Sequence, residues 1–446
     1  MGTASLHSTH SSNTMLNASV AAPPPAPSLG DQVGATRARL AERAHGWRYN
    51  GGKRDLRIDL LRGFAVLAMI ADHLGGDPSR LYTITGGNRF LFSAAEAFVF
   101  ISGLVMGIVY CGMIAKNGIG PAMWKALRRA GSLYMLTVVL SFAFIIISYM
   151  LRLPWVAGVQ VSDPLTRVIE RLTLHRAFYL TDVILMYTLL VAVTPLAFLL
   201  MVNKRTPVLL AGSWLLWGLF QRWPDQVQVP WTIEDNSVFH LAAWQVLFFT
   251  GLVIGYHRER IGGWLRRVPT TPALVALSAA CASLIWFHRH SAGILGRFSP
   301  DGDPAVLTNR LFEKSDVRIG RLVAFAVFFL FAMLVTTIAW KPIYTALGWF
   351  LMPLGQSALL AYSTHLFVIA FFTRYTPRVP WLHNTSAFAN TLVQLVGISL
   401  VYGVVRLTPA VKTAAASARG AVVVLLAPSH RTLAPQTQRV VERRGR

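Results

Sequence analysis

Apolar runs of about twenty residues recur along most of this 446-residue chain, and they constrain the fold more than any other feature. Coiled as a helix, such a run is about 30 Å long, the thickness of a bilayer's hydrocarbon core. Lipid offers no partners to backbone amides and carbonyls, so a spanning segment must satisfy them within itself. The expected fold class is therefore all-α, a polytopic helical bundle of the inner membrane. Charged residues make up 14% of the chain, where a soluble protein has about a quarter. Ten segments read as spanning helices: 58–76, 90–112, 131–151, 177–202, 207–221, 239–257, 272–288, 319–339, 354–373 and 387–407. The fifth is the shortest.

Sidedness follows from the basic residues. Arg37 to Arg57, then Lys116, Lys125, Arg128, Arg129, Lys204, Arg205, Arg258, Arg260, Arg266, Arg267, Lys341 and the terminal "RRGR" all fall on one side if ten helices leave both termini in the cytoplasm. Asp225, Glu234, Asp235, Asp301, Asp303, Glu313 and Asp316 fall on the other, although arginines in the loops 152–176 and 289–318 blur the contrast. This distribution also explains the net charge of +23. The cations sit at helix ends and in the tails, where anionic lipid is the natural partner; no basic, aromatic-interleaved face suggests nucleic acid.

Three regions are expected. Residues 1–52 form a Pro-, Ala- and Ser-rich tail without an apolar run, so the first spanning helix serves as insertion signal. Residues 53–408 form the membrane domain. Residues 409–446 form a basic cytoplasmic tail, in which "VKTAAASARGAVVVLLA" is suited to an interfacial helix. Cys111 and Cys281 lie in apolar segments and imply neither a disulfide framework nor a metal site. A phosphate loop, HExxH, G-x-S-x-G and a calcium loop are all missing from the sequence.

Against this background the stretch "RIDLLRGFAVLAMIADHLGG" is anomalous, because it carries Arg57, Asp59, Arg62, Asp72 and His73 in a membrane-grade helix. A charge in the bilayer core costs several kcal/mol, so such residues invite a functional reading. At about 100° per residue, Arg62 and His73 return to nearly one face, separated by ~16 Å of helix rise. Asp59 is one turn before Arg62 and can pair with it. Asp72 points away from the Arg62–His73 face. The plainer readings are an arginine snorkelling to headgroups, a histidine at the outer interface and a capping aspartate.

The second segment, "FSAAEAFVFISGLVMG", places Glu96 mid-segment on one stripe with Ser93, Gly103 and Gly107. The two glycines form a GxxxG pair that lets another helix approach closely. Glu96 is expected to face the bundle near the first helix, as a partner for Arg62 or His73 or as a buried structural acid. Asp182 and Tyr187, Trp244 and Gln245, and Gln356, Ser357 and His365 are fainter inward-facing candidates, for which interhelical hydrogen bonding alone is an adequate account.

"RIDLLRGFAVLAMIADHLGG", "SAAEAFVFISGLVMGIVY" and "ALRRAGSLY" closely resemble the OpgC-type membrane proteins, a family associated with succinylation of osmoregulated periplasmic glucans. "YLTDVILMY", "WQVLFFTGLVIG" and "LGQSALLAYSTHLF" follow the same pattern more loosely, and the resemblance spans roughly residues 53–407. The family looks like a branch of the wider membrane acyltransferase superfamily. Arg62 and His73 match that superfamily's Arg-x10-His pattern, and "FVFISGLVM" resembles its "FFVLSGFLI" segment, carrying Ser102 and Gly103.

The resemblance implies transfer of an acyl group, succinyl in this family, from a cytoplasmic acyl-CoA to a hydroxyl of a periplasmic glucan or other envelope glycan. No tightly bound cofactor is expected; acyl-CoA is a donor substrate, and the partners are donor, glycan and lipid. His73 is then the expected general base or acylated nucleophile, and Asp72 or Glu96 its orienting carboxylate. Arg62 is the expected binder of donor phosphate or carboxylate, with Asp59, Arg57, Ser102, Asp182, Gln245, Gln356 and His365 as further binding candidates. The competing reading is a proton-coupled transporter or flippase of a glycan or acylated lipid, in which the same groups form a proton relay. Against it, no inverted repeat and no paired broken helices are visible in the sequence.

Overall fold

The computed structural model describes residues 46–426, apart from residue 53 and the stretches 158–162, 300–301 and 380–385. Among the described residues the structure is helical, with one isolated bridge between Arg176 and Glu234. The terminal regions assigned to 1–52 and 409–446 lie mostly outside them. Where it is described, the candidate interfacial segment continues as helix from the last apolar element, Ala387–Leu426.

Thirteen helices carry the description: α1 Leu56–His73, α2 Ala94–Asn117, α3 Ile119–Met150, α4 Pro164–Leu172, α5 Asp182–Val202, α6 Thr206–Arg222, α7 Leu241–Tyr256, α8 Thr270–Phe298, α9 Pro304–Phe312, α10 Ile319–Ile338, α11 Trp349–Gln356, α12 Ala358–Tyr375 and α13 Ala387–Leu426. Each of the ten apolar segments is largely helical. Six helices, α2, α3, α5, α8, α10 and the Ala387–Pro409 part of α13, are long and apolar enough to cross a membrane. A seventh span results if the helix pair Trp340–Gln356 and Ala358–Arg378, bent by 86°, counts as one. The remaining segments are short or charged. The helices α6 and α7 have 17 and 16 residues, and α1 has 18, among them Arg57, Asp59, Arg62 and Asp72. Such lengths fall under the ~20 residues that an untilted span requires.

Local chemistry sets several boundaries. Asp55 caps α1 by accepting from the Arg57 backbone N–H. The helix α2 opens on a capping box in which Ser93 and Glu96 satisfy each other's backbone donors. Glu96 therefore sits in the first turn, not mid-segment as expected. The helix α3 starts twelve residues before the apolar run, because "IGPAMWKALRRAG" continues the helical pattern on a polar, exposed face.

Two close crossings organise the core. Gly103 and Gly107 of α2 lie against the Phe248 and Leu252 carbonyls of α7, while Gly251 and Gly255 of α7 lie against Phe100 and Leu104 of α2. The register advances together, so the two helices run parallel. The GxxxG of α2 thus meets a second one, within "FFTGLVIGY" of α7. In the other crossing Gly63 of α1 faces the Leu351 carbonyl, and Gly355 of α11 faces that of Asp59. A methyl group at any of these glycines would collide with backbone.

Candidate active site

His73 is the last residue of α1, and the chain beyond it is secured by α13. Buried Gln394 donates to the carbonyls of Ala71 at 3.0 Å and Leu74 at 3.1 Å. Asn390 donates to the Pro78 carbonyl at 2.8 Å. Gly75 has φ +75° and packs on the Asn390 carbonyl, where a side chain would be both strained and too close. The end of α1 is thereby held in place, and His73 with it.

The partner of His73 is His365 of α12. His73 Nδ1 lies 3.2 Å from His365 Nε2, and the rings stack at 5.4 Å with 18° between planes. His365 is fully buried, and its Nδ1 contacts the carbonyl oxygen of Tyr362. A carbonyl only accepts, so that nitrogen carries a hydrogen. In a neutral ring Nε2 is then the acceptor, and the hydrogen between the rings belongs to His73 Nδ1. His73 is left with Nε2 as its lone pair. The Tyr362 hydroxyl donates at 2.5 Å to the Leu180 carbonyl, tying α12 to the entry of α5.

His73 lines a cavity of about 810 Å³, together with Asp72, Asp182, Asn88, Lys314 and Tyr179. Asp72 accepts from the Thr85 hydroxyl at 2.8 Å. Asp182 accepts from the Val183 backbone N–H at 2.9 Å. Lys314, in the loop after α9, donates to Asn88 at 2.9 Å. Burial pulls its ammonium below the ordinary value, against the attraction of Glu96, Asp72 and Asp182. Arg167 and Arg171 of α4 add cations to the wall. The side chain of Arg176, just beyond, bridges Glu170 at 2.5 Å and Asp235 at 2.7 Å, closing that wall onto the 231–240 loop.

The other candidate residues are placed differently. Glu96 is fully buried and forms an ion pair at 2.5 Å with Arg321, which also donates to the Phe312 carbonyl at 3.1 Å. The bonds drawn by Asp72 and Glu96 go to Thr85, Ser93 and Arg321, and it is His365 that meets the His73 ring. Arg62 is nearly buried; its Nε donates to the Gly355 carbonyl at 2.5 Å and a terminal nitrogen to Asp59 at 3.0 Å, so it clamps the α1–α11 crossing. Asp59 also receives Arg54 at 2.5 Å. Arg57 pairs with Asp55 at 2.6 Å and donates to Thr337 at 2.6 Å, its guanidinium over the Tyr49 ring. Gln245 is bound to Ser213, joining α7 to α6. Ser102 is buried in α2, and Gln356 is exposed at the 86° bend. None of these three lines the cavity.

Three contributors escaped sequence reasoning. Lys314 lies in a connecting segment, where polar residues draw no notice; Tyr179 falls inside the segment read as a spanning helix over 177–202, yet it precedes α5, which starts at Asp182. Arg321 opens the apolar "RLVAFAVFFLF", and a cation there demands a carboxylate; Glu96 was the available one.

A family model described as OpgC protein matches residues 54–413. The chain matches no curated protein. That match covers α1 through most of α13 and every cavity residue named above, and the chain belongs to the OpgC protein family.

Proposed function

We propose that the protein is a membrane O-acyltransferase that moves an acyl group, succinyl by family, from a cytoplasmic acyl-CoA to a hydroxyl of a periplasmic glucan or related envelope glycan. Family membership implies membrane acyltransferase-type function. The observation that carries the assignment of chemistry is the His73–His365 pair at the cavity wall, which leaves His73 Nε2 as an acceptor of protons. In this reading α1 enters from the cytoplasm, so Arg62 lies toward the donor side and the cavity opens toward the acceptor.

His73 Nε2 takes the proton of the acceptor hydroxyl as its oxygen attacks the thioester carbonyl. A C–O bond forms, the C–S bond breaks, and the thiolate of CoA leaves with the proton returned from His73. Positive charge on the imidazolium is shared through the hydrogen bond with His365. Asp72, Asp182 and Lys314 border the space that acceptor and acyl group occupy. Arg62 lies outside the cavity lining and holds Gly355 and Asp59, and in this reading it adds donor binding to that clamp; the ~16 Å of helix between it and His73 matches the reach of an extended pantetheine arm.

Steady-state acyl transfer on purified protein in nanodiscs, with direct donor binding, tests this. His73→Ala is expected to lower turnover by about 10²–10⁴-fold while retaining acyl-CoA affinity. Arg62→Ala is expected to raise the donor KM, with Arg62→Lys recovering part. Near-normal turnover in His73→Ala, or absence of any transfer or donor hydrolysis by wild type, would overturn the assignment. The second result is what a transporter would give.

A further inference from the structure

Part of the cavity wall is built of aromatic rings that the transfer step does not use. Phe144, Trp155 and Tyr179 form a continuous stack: Phe144 to Trp155 is 5.9 Å at 28°, and Trp155 to Tyr179 is 4.7 Å at 30°. Phe144 is fully buried. The Trp155 indole N–H donates to Ser148 at 3.0 Å, which fixes the middle ring. Tyr179 is the outermost ring, 49% exposed, and it lines the cavity. Three residues on, Asp182 lines the same cavity from the first turn of α5. A tyrosine exposed to this extent normally moves freely; this one is backed by two rings that hold its plane.

A rigid aromatic face with a carboxylate alongside matches one class of ligand. A pyranose ring has an apolar face of axial C–H bonds that stacks on an aromatic ring, and an equatorial rim of hydroxyls that donate to carboxylate oxygens. We propose that Tyr179 and Asp182 form a sugar subsite for a neutral hexopyranose residue of the acceptor, Tyr179 beneath the ring and Asp182 receiving its hydroxyls. This subsite holds the glycan so that a hydroxyl reaches His73 at the other wall. The proposal rests on the reading that the acceptor is a glycan, and its test is a binding measurement that needs no acyl donor.

The experiment titrates the full chain in nanodiscs with neutral glucotrioses of each linkage, by calorimetry and saturation-transfer NMR, without donor. Wild type is expected to bind at least one of them, with ring protons receiving more saturation than exocyclic ones. Tyr179→Ala is expected to weaken that binding about tenfold, a typical aromatic contribution. Tyr179→Phe is expected to match wild type, since the face is retained, and Asp182→Asn to bind several-fold more weakly. Donor affinity should be the same in the two Tyr179 variants, which also controls for folding. Unchanged binding in Tyr179→Ala overturns the proposal, as does Tyr179→Phe binding as weakly as Tyr179→Ala. Failure of wild type to bind any glucotriose while transferring acyl groups to a glycan also overturns it and leaves the enzymatic reading intact. Binding as expected with no acyl transfer would sink the enzymatic reading and keep the subsite.

Discussion

A catalytic imidazole must present a lone pair, and at the scale of single residues the partner of His73 determines which nitrogen has it. The partner is buried and itself oriented by a main-chain carbonyl. Replacing His365 by Leu removes the acceptor for His73 Nδ1–H and frees the ring to tautomerise or turn. Turnover is expected to fall by about 10²-fold or more, as when other catalytic histidines lose their orienting group, with both KM values near wild type. His365→Gln keeps an acceptor oxygen and is expected to recover part of the rate. Nitrogen NMR of labelled protein should show His73 protonated at Nδ1 in wild type and a mixture in His365→Leu; a wild-type spectrum in that variant would remove His365 from this role. His73 and Arg62 were visible from sequence because charge in an apolar run is costly. His365 was visible only as a polar residue, because its meaning comes from a contact across 292 residues.

Between elements, the buried Glu96–Arg321 pair fastens α2 to α10 beside the cavity. Both side chains are nearly inaccessible, at 0% and 4% exposed. Removing one partner strands the other charge, so Glu96→Gln is expected to destabilise the protein by about 3–5 kcal/mol. A double variant, Glu96→Leu with Arg321→Leu, removes both charges and is expected to regain most of this. Thermal unfolding of the purified variants in one detergent checks the ordering; equal losses in single and double variants would mean that the pair does not act as a unit. The spacing Ser93-x-x-Glu96 ahead of an apolar run is a helix-start signal, and it places Glu96 in the first turn. Reading the helix from residue 90 hid that signal and suggested a mid-membrane carboxylate. The GxxxG of α2 was legible, because small residues four apart have few other uses in lipid. That α7 supplies the matching pair depends on register, which helical periodicity within one segment does not contain.

For the whole molecule, the apolar segments were legible individually, but their number as full crossings depends on length, tilt and breaks. The bend between α11 and α12, at Gln356 and Ser357, follows Pro353 and Gly355, but a proline and a glycine inside an apolar run do not fix the angle of a break. If all ten segments cross, a periplasm-active reporter fused after Arg446 is expected to be silent and a cytoplasm-active one bright. The reverse pattern would mean an odd number of crossings, with short α6 the first to re-examine. The same bend has a mechanical consequence. Gly355, on one side of it, is bonded to Arg62; His365 is eight residues beyond Ser357, about 12 Å along α12. The bend is therefore the fulcrum of a lever whose short end is held by Arg62 and whose long end carries the histidine. A tilt of about 5° displaces the imidazole by ~1 Å, enough to lengthen the contact with His73 beyond a hydrogen bond. The alignment of the two rings is set as much by the angle of that fulcrum as by the rings themselves.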